Sequence, residues 1–501
     1  MERAALTSRR LWIVLSAGLF LTLVAIIAIE IPALASLLAL ASVVALTLFV
    51  APKAAVASLA LFLLFQSPLV NLVGGQSTSL GLALQRLDEA MVVAATFRIA
   101  VFLGWRDLRA DLWRWMRYVG AFLGAGMVSA ALAHVPTTTA LLGAFLAAKF
   151  SAFLLVALTI NWDDRDAARV VRGALILGPV LLGSGVLLRI LPPELSAVFL
   201  DPSTEVERLL GRGELESMHG LFIHPGLFGW AMAVVGCYAI ASLTTRRTLL
   251  AEVALVTSAV GIVASLRRKP LVALPVAALG AALGVENRRQ RLGIVALLLA
   301  LLGGMSLFGR DRVKTVVDDT MTSYLDPYAP TTARSLLYLT GWRIAEDHFP
   351  FGVGFGRFGG YVSQIRYSPV YDQYGLSSVY GLTRDTPTYM QDTYWPHIVG
   401  EAGVVGALVL AALFIQLWRG SVHVARVSLN PHRRTLAIAA SMVLLEGIAE
   451  SAAAPVFEIS LVAYTIAIPL GIVLVLAKQP VDERSGLLDG GSVESPAPVL
   501  E

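Results

Sequence analysis

The sequence is poor in charge and in cysteine. Of its 501 residues only 15% are Asp, Glu, Lys or Arg, whereas an ordinary soluble domain has about 25%. A single cysteine, Cys237, stands in the whole chain. One thiol excludes a disulfide framework and a thiolate metal cluster. So small a charged fraction excludes a water-soluble globular protein, whose surface needs many charges to stay hydrated.

Apolar residues take the place of the missing charge. They make up 56% of the chain, and the mean hydropathy is +0.72. The apolar residues form fourteen runs of roughly 17–22 residues, each long enough to cross a bilayer as a helix. The sequence therefore predicts an all-α polytopic membrane protein with about 14 transmembrane helices, in a range of 12–14. The runs lie approximately at 11–29, 33–50, 54–73, 87–104, 118–134, 139–160, 173–190, 221–243, 248–265, 270–285, 292–308, 398–418, 435–453 and 456–477.

The basic residues give this chain an orientation. A net charge of +4 would suggest nucleic acid in a soluble protein, but in a membrane chain Lys and Arg first report which loops are cytoplasmic. An even number of spans puts both termini on one side, and Arg3, Arg9 and Arg10 place that side in the cytoplasm. We therefore expect a multi-pass membrane protein with both termini in the cytoplasm, and with membrane lipid and no nucleic acid as partner.

This topology divides the chain into four parts. Residues 1–308 hold the first eleven spans, with an outer loop at 191–220. Residues 309–397 form a long outer loop in which a helix is predicted at 332–347. Three spans follow at 398–477, and the Gly-, Ser- and Pro-rich tail at 478–501 is expected to be disordered. A loop as long as 309–397 is usually functional.

Three adjacent cations break the positive-inside rule. Arg267, Arg268 and Lys269 fall in a short outer turn. Either the span count is off by one, or the cluster is kept for an anionic ligand. Arginine forks match phosphate oxygens in two-point geometry, whereas a single outer cation is as well explained by lipid head groups. The candidate pyrophosphate ligands are Arg212, Arg267, Arg268, Lys269, Arg334 and Arg343.

Helix geometry separates two of these arginines. Arg334 and Arg343 are nine residues apart, which at about 100° per residue puts them on opposite faces of the predicted helix. Tyr338 and Trp342 share the side of Arg334. Arg343 can instead pair with Asp347 one turn later. Arg334 is therefore the better ligand candidate.

Aromatic residues are concentrated in the long outer loop. Ten of the thirteen tyrosines lie there. Their rings, with an apolar face and a polar tip, suit a surface that stacks sugars, and they equally suit the aromatic belt of a membrane interface. Both interpretations stay open. The candidate glycan-binding residues are Tyr338, Trp342, Tyr389, Tyr394 and Trp395.

A glycine-rich segment, GVGFGRFGG, occupies residues 352–360 and contains a G-x-G-x-x-G pattern. A dinucleotide-binding role is disfavoured because no βαβ unit surrounds it. We expect a tight turn that brings backbone N–H groups and Arg357 close to a ligand or a neighbouring helix.

Ionisable residues inside predicted spans are also functional candidates, because charge is costly in lipid. Lys149, Glu446 and Glu450 are of this kind. Glu450 and Glu458 lie near the outer face, where they can pair with arginines of the long loop.

Four stretches, in this order, resemble the O-antigen ligase and O-antigen polymerase family of bacterial membrane glycosyltransferases. They are GLFIHPG at 220–226, SLRRK at 265–269, WRIAEDHFPFGVGFGRF at 342–358 and DTYWPHIVGEAGVVG at 392–406. Each motif is weak alone, and their order over about 220–410 carries the resemblance. Ligases of the family usually place a His-Asn pair where this chain has Asp392 and Thr393, which favours the polymerase side.

The resemblance implies a multi-span glycosyltransferase of GT-C-like type, with short helices in its periplasmic loop. It would transfer a glycan from undecaprenyl pyrophosphate to a sugar hydroxyl with inversion and without a metal or other cofactor, and no cluster here has metal-ligand spacing. Candidate catalytic residues, among them the base, are Asp392, His397 and Glu401. The protein partners of such an enzyme would be a flippase and a chain-length regulator. A ligase and a glycan transporter remain the alternatives.

Overall fold

The computed structural model describes residues 32–73, 78–103, 106–192, 217–284 and 332–479, together with the isolated positions 288, 291, 293 and 295. All regular elements of this described part are helices, which confirms the predicted all-helical class. Two predicted spans, at 11–29 and 292–308, fall largely or wholly outside it. The candidate ligand Arg212 and most of the predicted disordered tail also lie outside the described residues.

Seventeen helices occur in the described part of the chain. They are α1 (Pro32–Val50), α2 (Pro52–Leu72), α3 (Ser79–Gln85), α4 (Leu87–Leu103), α5 (Arg106–Leu132), α6 (Thr137–Ala147), α7 (Lys149–Leu158), α8 (Asp164–Ile190), α9 (Pro225–Thr245), α10 (Leu249–Ala264), α11 (Arg268–Gly284), α12 (Ala333–Asp347), α13 (Tyr361–Ile365), α14 (Val370–Gln373), α15 (Trp395–Val427), α16 (Pro431–Glu450) and α17 (Ser460–Leu476).

Four of the described helices are both long and apolar enough to cross a membrane: α2, α8, α9 and α15. The pair α6 and α7, bent by 51° at Ala148, makes a fifth if it counts as one span. The structure therefore shows a helical membrane protein with four or five candidate spans among these residues. Some of the other predicted runs overlap helices that are short for a bilayer of about 30 Å, such as α10 with 16 residues and α17 with 17.

Ion pairs tie several helix ends together at one end of the bundle, which we call the basal end. Arg433 at the start of α16 binds Asp164 of α8 through two nitrogens, at 2.8 and 3.1 Å, and donates to the carbonyl of Leu476 at the end of α17. Lys53 at the start of α2 binds Asp163, 3.2 Å away. The starts of α2, α8 and α16 and the end of α17 therefore lie together.

The opposite end, called here the site end, is where α16 finishes and α12 packs on α15. The Tyr338 hydroxyl donates to the Ala452 carbonyl at 2.7 Å, and the Trp395 indole donates to Ser451 Oγ at 2.8 Å. The turn of residues 451–459, between α16 and α17, thus holds both α12 and the start of α15. Helix α12 begins at Ala333, capped by Thr332, within a residue of the start expected from the sequence.

Lys149 is buried at the start of α7, next to the bend between α6 and α7, and its ammonium has partners. Its ammonium lies 3.4 Å from Asp88 of α4 and donates to Ser460 Oγ of α17 at 3.2 Å. Because removing one partner of a buried pair leaves an uncompensated charge, this cluster joins three helices. Its contacts give Lys149 a structural role.

Helix α15 is broken near its start. Gly403 has φ 72° and ψ −175°, which interrupts the helix. Beside this break the carbonyl of Gly400 accepts a hydrogen bond from Val353 N–H at 2.8 Å, and that of Glu401 accepts one from Gly354 N–H at 3.0 Å. The broken turn therefore serves as a docking edge for the glycine-rich segment.

Replacing Gly403 by alanine should destabilise the protein. A backbone with φ 72° and ψ −175° is essentially accessible only to glycine and costs an L-residue about 1–3 kcal/mol, and a Cβ at this position would lie 2.4 Å from the backbone carbon of Phe351. We expect a loss of at least about 2 kcal/mol in the free energy of unfolding, measured by SDS titration in mixed micelles. Gly124→Ala in α5, where a Cβ meets nothing within 4 Å, is the matched control and should lose nothing. Equal stability of the two variants would contradict the account.

Candidate functional site

The cationic turn between α10 and α11 is built on an unusual backbone. Leu266 has φ +53°, a conformation that residues with a Cβ seldom adopt and that is found mainly at functional sites. The Ser265 hydroxyl supports the turn by donating to the Ile262 carbonyl at 2.6 Å and accepting from Arg267 N–H at 3.3 Å. The turn thereby starts α11 with Arg268 and directs three successive cations to the site end.

An arginine and an aspartate from distant parts of the chain form the second element of the site. Arg334 Nη2 of α12 lies 2.6 Å from Asp392 Oδ2, and its Nε donates to the Asp392 carbonyl at 3.2 Å. The two side chains are 22% and 35% exposed. The pair is well aligned and still open enough for a ligand to reach it.

The two elements converge. The charges that act on the Lys269 ammonium are those of Glu450, Arg334, Asp392 and Arg267. A short turn and two parts of the long loop, separate in sequence, therefore form one site of mainly positive charge. In the described part of the chain, no group of three or more His, Cys, Asp or Glu side chains is placed to hold a metal ion.

Burial affects the tyrosine that anchors α12. It raises the pKa of Tyr338, and the nearby Arg334 charge opposes that rise. Tyr338 therefore remains a neutral hydrogen-bond donor, as its bond to Ala452 requires. It lies one helical turn from Arg334, so its anchoring also fixes that guanidinium.

The glycine-rich segment uses its backbone amides on the protein itself. Besides the two bonds to α15, Gly352 N–H donates to Ser129 Oγ at 3.1 Å, and Gly359 N–H donates to the Tyr371 hydroxyl at 3.0 Å. A Cβ at Gly354, where φ is +88°, would lie 2.3 Å from Ala130 Cα. These amides are not presented as a phosphate cradle. The segment is a tight turn against neighbouring helices, as its sequence context predicted.

Two candidate catalytic residues hold the backbone of Phe358 in that segment, one at its N–H and the other at its carbonyl. Glu401 Oε1 accepts from Phe358 N–H at 2.8 Å, and His397 Nδ1 lies 2.6 Å from the Phe358 carbonyl. His397 Nε2 lies 2.9 Å from Glu458 Oε1. The side chains of His397 and Glu401 are only 5% and 0% exposed. Of the three candidate catalytic residues, Asp392 is thus the most accessible.

Arg357 is half-buried beside the same network. Burial lowers its pKa, and the charge of Glu401 opposes that effect. Its Nε is buried and has no hydrogen-bond partner within the described part of the chain.

Arg343 lies away from this convergence. It is exposed, on the face of α12 opposite to Arg334. Its expected partner Asp347 instead accepts a hydrogen bond from the Tyr374 hydroxyl at 2.8 Å. No ion pair between Arg343 and Asp347 is formed among the described residues.

The candidate glycan-binding aromatics fall into two groups. Trp342 and Tyr389 are 61% and 41% exposed. Tyr394 is buried, with its ring centroid 5.2 Å from that of Phe457, and Trp395 is bonded to Ser451. The first group presents open ring faces, whereas the second is packed into the protein.

Three acidic residues take contacts that the sequence left undetermined. Glu458 binds His397 rather than a loop arginine. Glu450 is buried and acts on Lys269, while Glu446 accepts from Cys237 Sγ at 3.2 Å. The sequence placed Glu446 and Glu450 inside a predicted span and Glu450 and Glu458 near the outer face, but neither signal names a partner.

The fold and site together define a helical membrane protein whose site joins a cationic turn to a half-open Arg–Asp pair. Residues 253–411 match the model of a family described as O-antigen ligase. The match covers the chain from α10 to the first half of α15, and it confirms the resemblance seen in the sequence. No curated protein matches the chain.

The open Arg334–Asp392 pair should contribute little to stability. Partly exposed pairs are worth about 0–1 kcal/mol, so Arg334→Ala and Asp392→Ala should each lower the free energy of unfolding by no more than about 1 kcal/mol. Arg433→Ala is the contrasting variant, because it breaks a pair whose side chains are 5% and 18% exposed and should lose about 3–5 kcal/mol. Thermal unfolding in detergent measures all three. A loss in Arg334→Ala as large as in Arg433→Ala would show that the site pair holds the fold.

Proposed function

We propose that the protein polymerises oligosaccharide repeat units of an O-antigen or exopolysaccharide, carried on undecaprenyl pyrophosphate. The observation that carries this proposal is the convergence of Arg267, Lys269 and Arg334 beside Asp392, within the stretch that matches the O-antigen ligase family. The transfer would invert the sugar carbon and would use no metal.

The proposed setting is the bacterial inner membrane, with about fourteen spans of GT-C-like type and both termini in the cytoplasm. The site end would then face the periplasm. Two features support this orientation. The basal end carries Arg246, Arg247 and Arg433, as the positive-inside rule expects of a cytoplasmic face, and the long loop lies at the other end.

The cations would act on the leaving group. As the acceptor oxygen bonds to the sugar carbon, the bond from that carbon to the pyrophosphate oxygen breaks and leaves negative charge on the lipid pyrophosphate. Arg267, Arg268, Lys269 and Arg334 would stabilise that charge in a partly dehydrated site, where such interactions are stronger than in water. This stabilisation is the role a metal would otherwise have.

The general base would be Asp392. A base must reach the acceptor hydroxyl within hydrogen-bond distance, and the Asp392 side chain is 35% exposed. His397 and Glu401 are buried and already bind the carbonyl and the N–H of Phe358. Asp392 would take the hydroxyl proton while Arg334 fixes its carboxylate.

The acceptor glycan would lie on the exposed rings of Trp342 and Tyr389, since flat apolar ring faces stack on sugars. Tyr338 would act by anchoring α12 to residues 451–459. Tyr394 and Trp395 would support the site from beneath, and Arg343 would contact ligand only on the outer face of α12.

A ligase that passes the glycan to a lipid or protein acceptor is the alternative within this family. Asp392, where family ligases usually have histidine, favours the polymerase, whose partners would include a flippase and a chain-length regulator. A lipid-linked glycan transporter accounts less well for the open Arg334–Asp392 pair.

Removing the two arginines of the cationic turn should abolish most turnover. We expect Arg267→Ala/Arg268→Ala to lower kcat/KM for undecaprenyl-pyrophosphate oligosaccharide by on the order of 100-fold or more. The assay follows release of undecaprenyl pyrophosphate and product chain length with purified protein in detergent. Arg246→Ala/Arg247→Ala, two exposed adjacent arginines just before α10, controls for lost charge and should stay within about twofold of wild type.

Two results would count against this proposal. Full activity of the Arg267→Ala/Arg268→Ala variant would remove the pyrophosphate clamp. A single transfer to a non-glycan acceptor, without chain growth, would favour the ligase.

Asp392→Asn should separate chemistry from binding. Loss of a general base costs about 10²–10⁴ in rate, so kcat should fall by that factor while KM for the lipid donor stays within about threefold. Asp385→Asn, an exposed carboxylate of the same loop, is the matched control and should be unchanged. A normal kcat for Asp392→Asn would exclude Asp392 as the base.

A further inference from the structure

Three segments of the chain meet at one histidine. His397 belongs to the first turn of α15, its Nδ1 faces the Phe358 carbonyl of the glycine-rich segment, and its Nε2 faces Glu458 of the 451–459 turn. The side chains of His397 and Glu458 are 5% and 9% exposed. The two ring nitrogens of His397 therefore connect α15 to both the glycine-rich segment and the 451–459 turn.

The hydrogen-bond partners determine the form of the ring. A carbonyl oxygen only accepts, so His397 Nδ1 must carry a proton. Towards an ionised Glu458, Nε2 donates as well, and the ring is then an imidazolium between Glu458 and Glu401, whose Oε2 is 3.7 Å from Nδ1. A ring in that state has no lone pair with which to accept a proton from a substrate.

Phe358 is consequently held from both sides. Its N–H is bound by Glu401 and its carbonyl by His397, four residues earlier on α15 and therefore on the same helix face. The two peptide units that flank Phe358 are thus each held by one hydrogen bond, which restricts rotation of the backbone at this residue and next to Arg357. The glycine-rich segment, weak in intrinsic order because glycine is so permissive, gains its order from this grip.

The same turn that supplies Glu458 also positions the proposed site. Its Ser451 and Ala452 bind Trp395 and Tyr338, which lie close to Asp392 and Arg334 respectively. Movement of the 451–459 turn would therefore displace both members of the Arg334–Asp392 pair.

We propose that His397 and Glu458 are positioning residues for glycosyl transfer. Their bond, called here the strap, holds the glycine-rich segment and the 451–459 turn against α15, and so keeps Arg334 and Asp392 in position relative to each other. This inference rests on the proposed function for its kinetic consequence, but the strap itself is testable without any activity. His397 is thereby given a role other than general base.

Amide hydrogen exchange, followed by mass spectrometry on the purified full-length protein in detergent, tests the strap directly. In His397→Ala and Glu458→Ala, exchange of the peptide covering residues 352–360 should accelerate at least about 10-fold, because the free energy of local opening decreases. Glu458→Gln keeps an oxygen acceptor for Nε2–H and should show a smaller change. Glu346→Ala, an exposed carboxylate of α12, should match wild type. Unchanged exchange in both alanine variants would overturn the strap.

Kinetics distinguish positioning from proton transfer. His397→Ala should lower kcat at least about 10-fold with KM for the lipid donor within about threefold. His397→Asn, whose side-chain amide can still donate to the Phe358 carbonyl, should recover most of that loss. An asparagine variant as inactive as the alanine variant would make His397 the base and overturn the proposal. If wild-type protein releases no undecaprenyl pyrophosphate, the proposed function fails, while the exchange result still decides the strap.

Discussion

The break of α15 at Gly403 is the constraint on which the site end depends. A continuous helix keeps its carbonyls for its own amides, but beside this break Gly400 and Glu401 bind the glycine-rich segment. The contact is so close that a Cβ at Gly352 would lie 2.2 Å from the Gly400 oxygen. The glycines of the segment, having no Cβ, therefore allow its backbone to approach the backbone of α15 closely. The hold of His397 and Glu401 on Phe358 follows from that approach.

The charged side chains of the site are more exposed than the charged side chains of the interior. Lys149 is closed off by Asp88 and Ser460, and Arg433 by Asp164 and backbone carbonyls. Such groups stabilise because both partners are present. Arg334 and Asp392, by contrast, remain partly open beside the cationic turn. Charges that are aligned but still reachable can exchange a protein partner for a ligand, and in this respect the Arg334–Asp392 pair differs from the enclosed pairs of the interior.

Accessibility also divides residues that the sequence treated alike. Asp392, His397 and Glu401 lie within ten positions and are all capable of proton transfer. Only the tertiary structure shows that two of them are enclosed at 5% and 0% exposure while the third is at 35%. The same holds for the aromatics, where Trp342 offers an open ring and Tyr394 is packed against Phe457.

The sequence by itself determined the features that depend on local composition and period. Apolar runs predicted the helical membrane class, a helix was predicted at 332–347 where α12 lies, and the advance of 100° per residue put Arg334 and Arg343 on opposite faces. The excess of charge at 267–269 marked the cationic turn. Tertiary structure alone decided the partners: Arg334 with Asp392, His397 with Glu458, and the break of α15. These depend on which distant segments meet, and hydropathy, being a property of neighbours in sequence, contains no information about contacts between residues tens of positions apart.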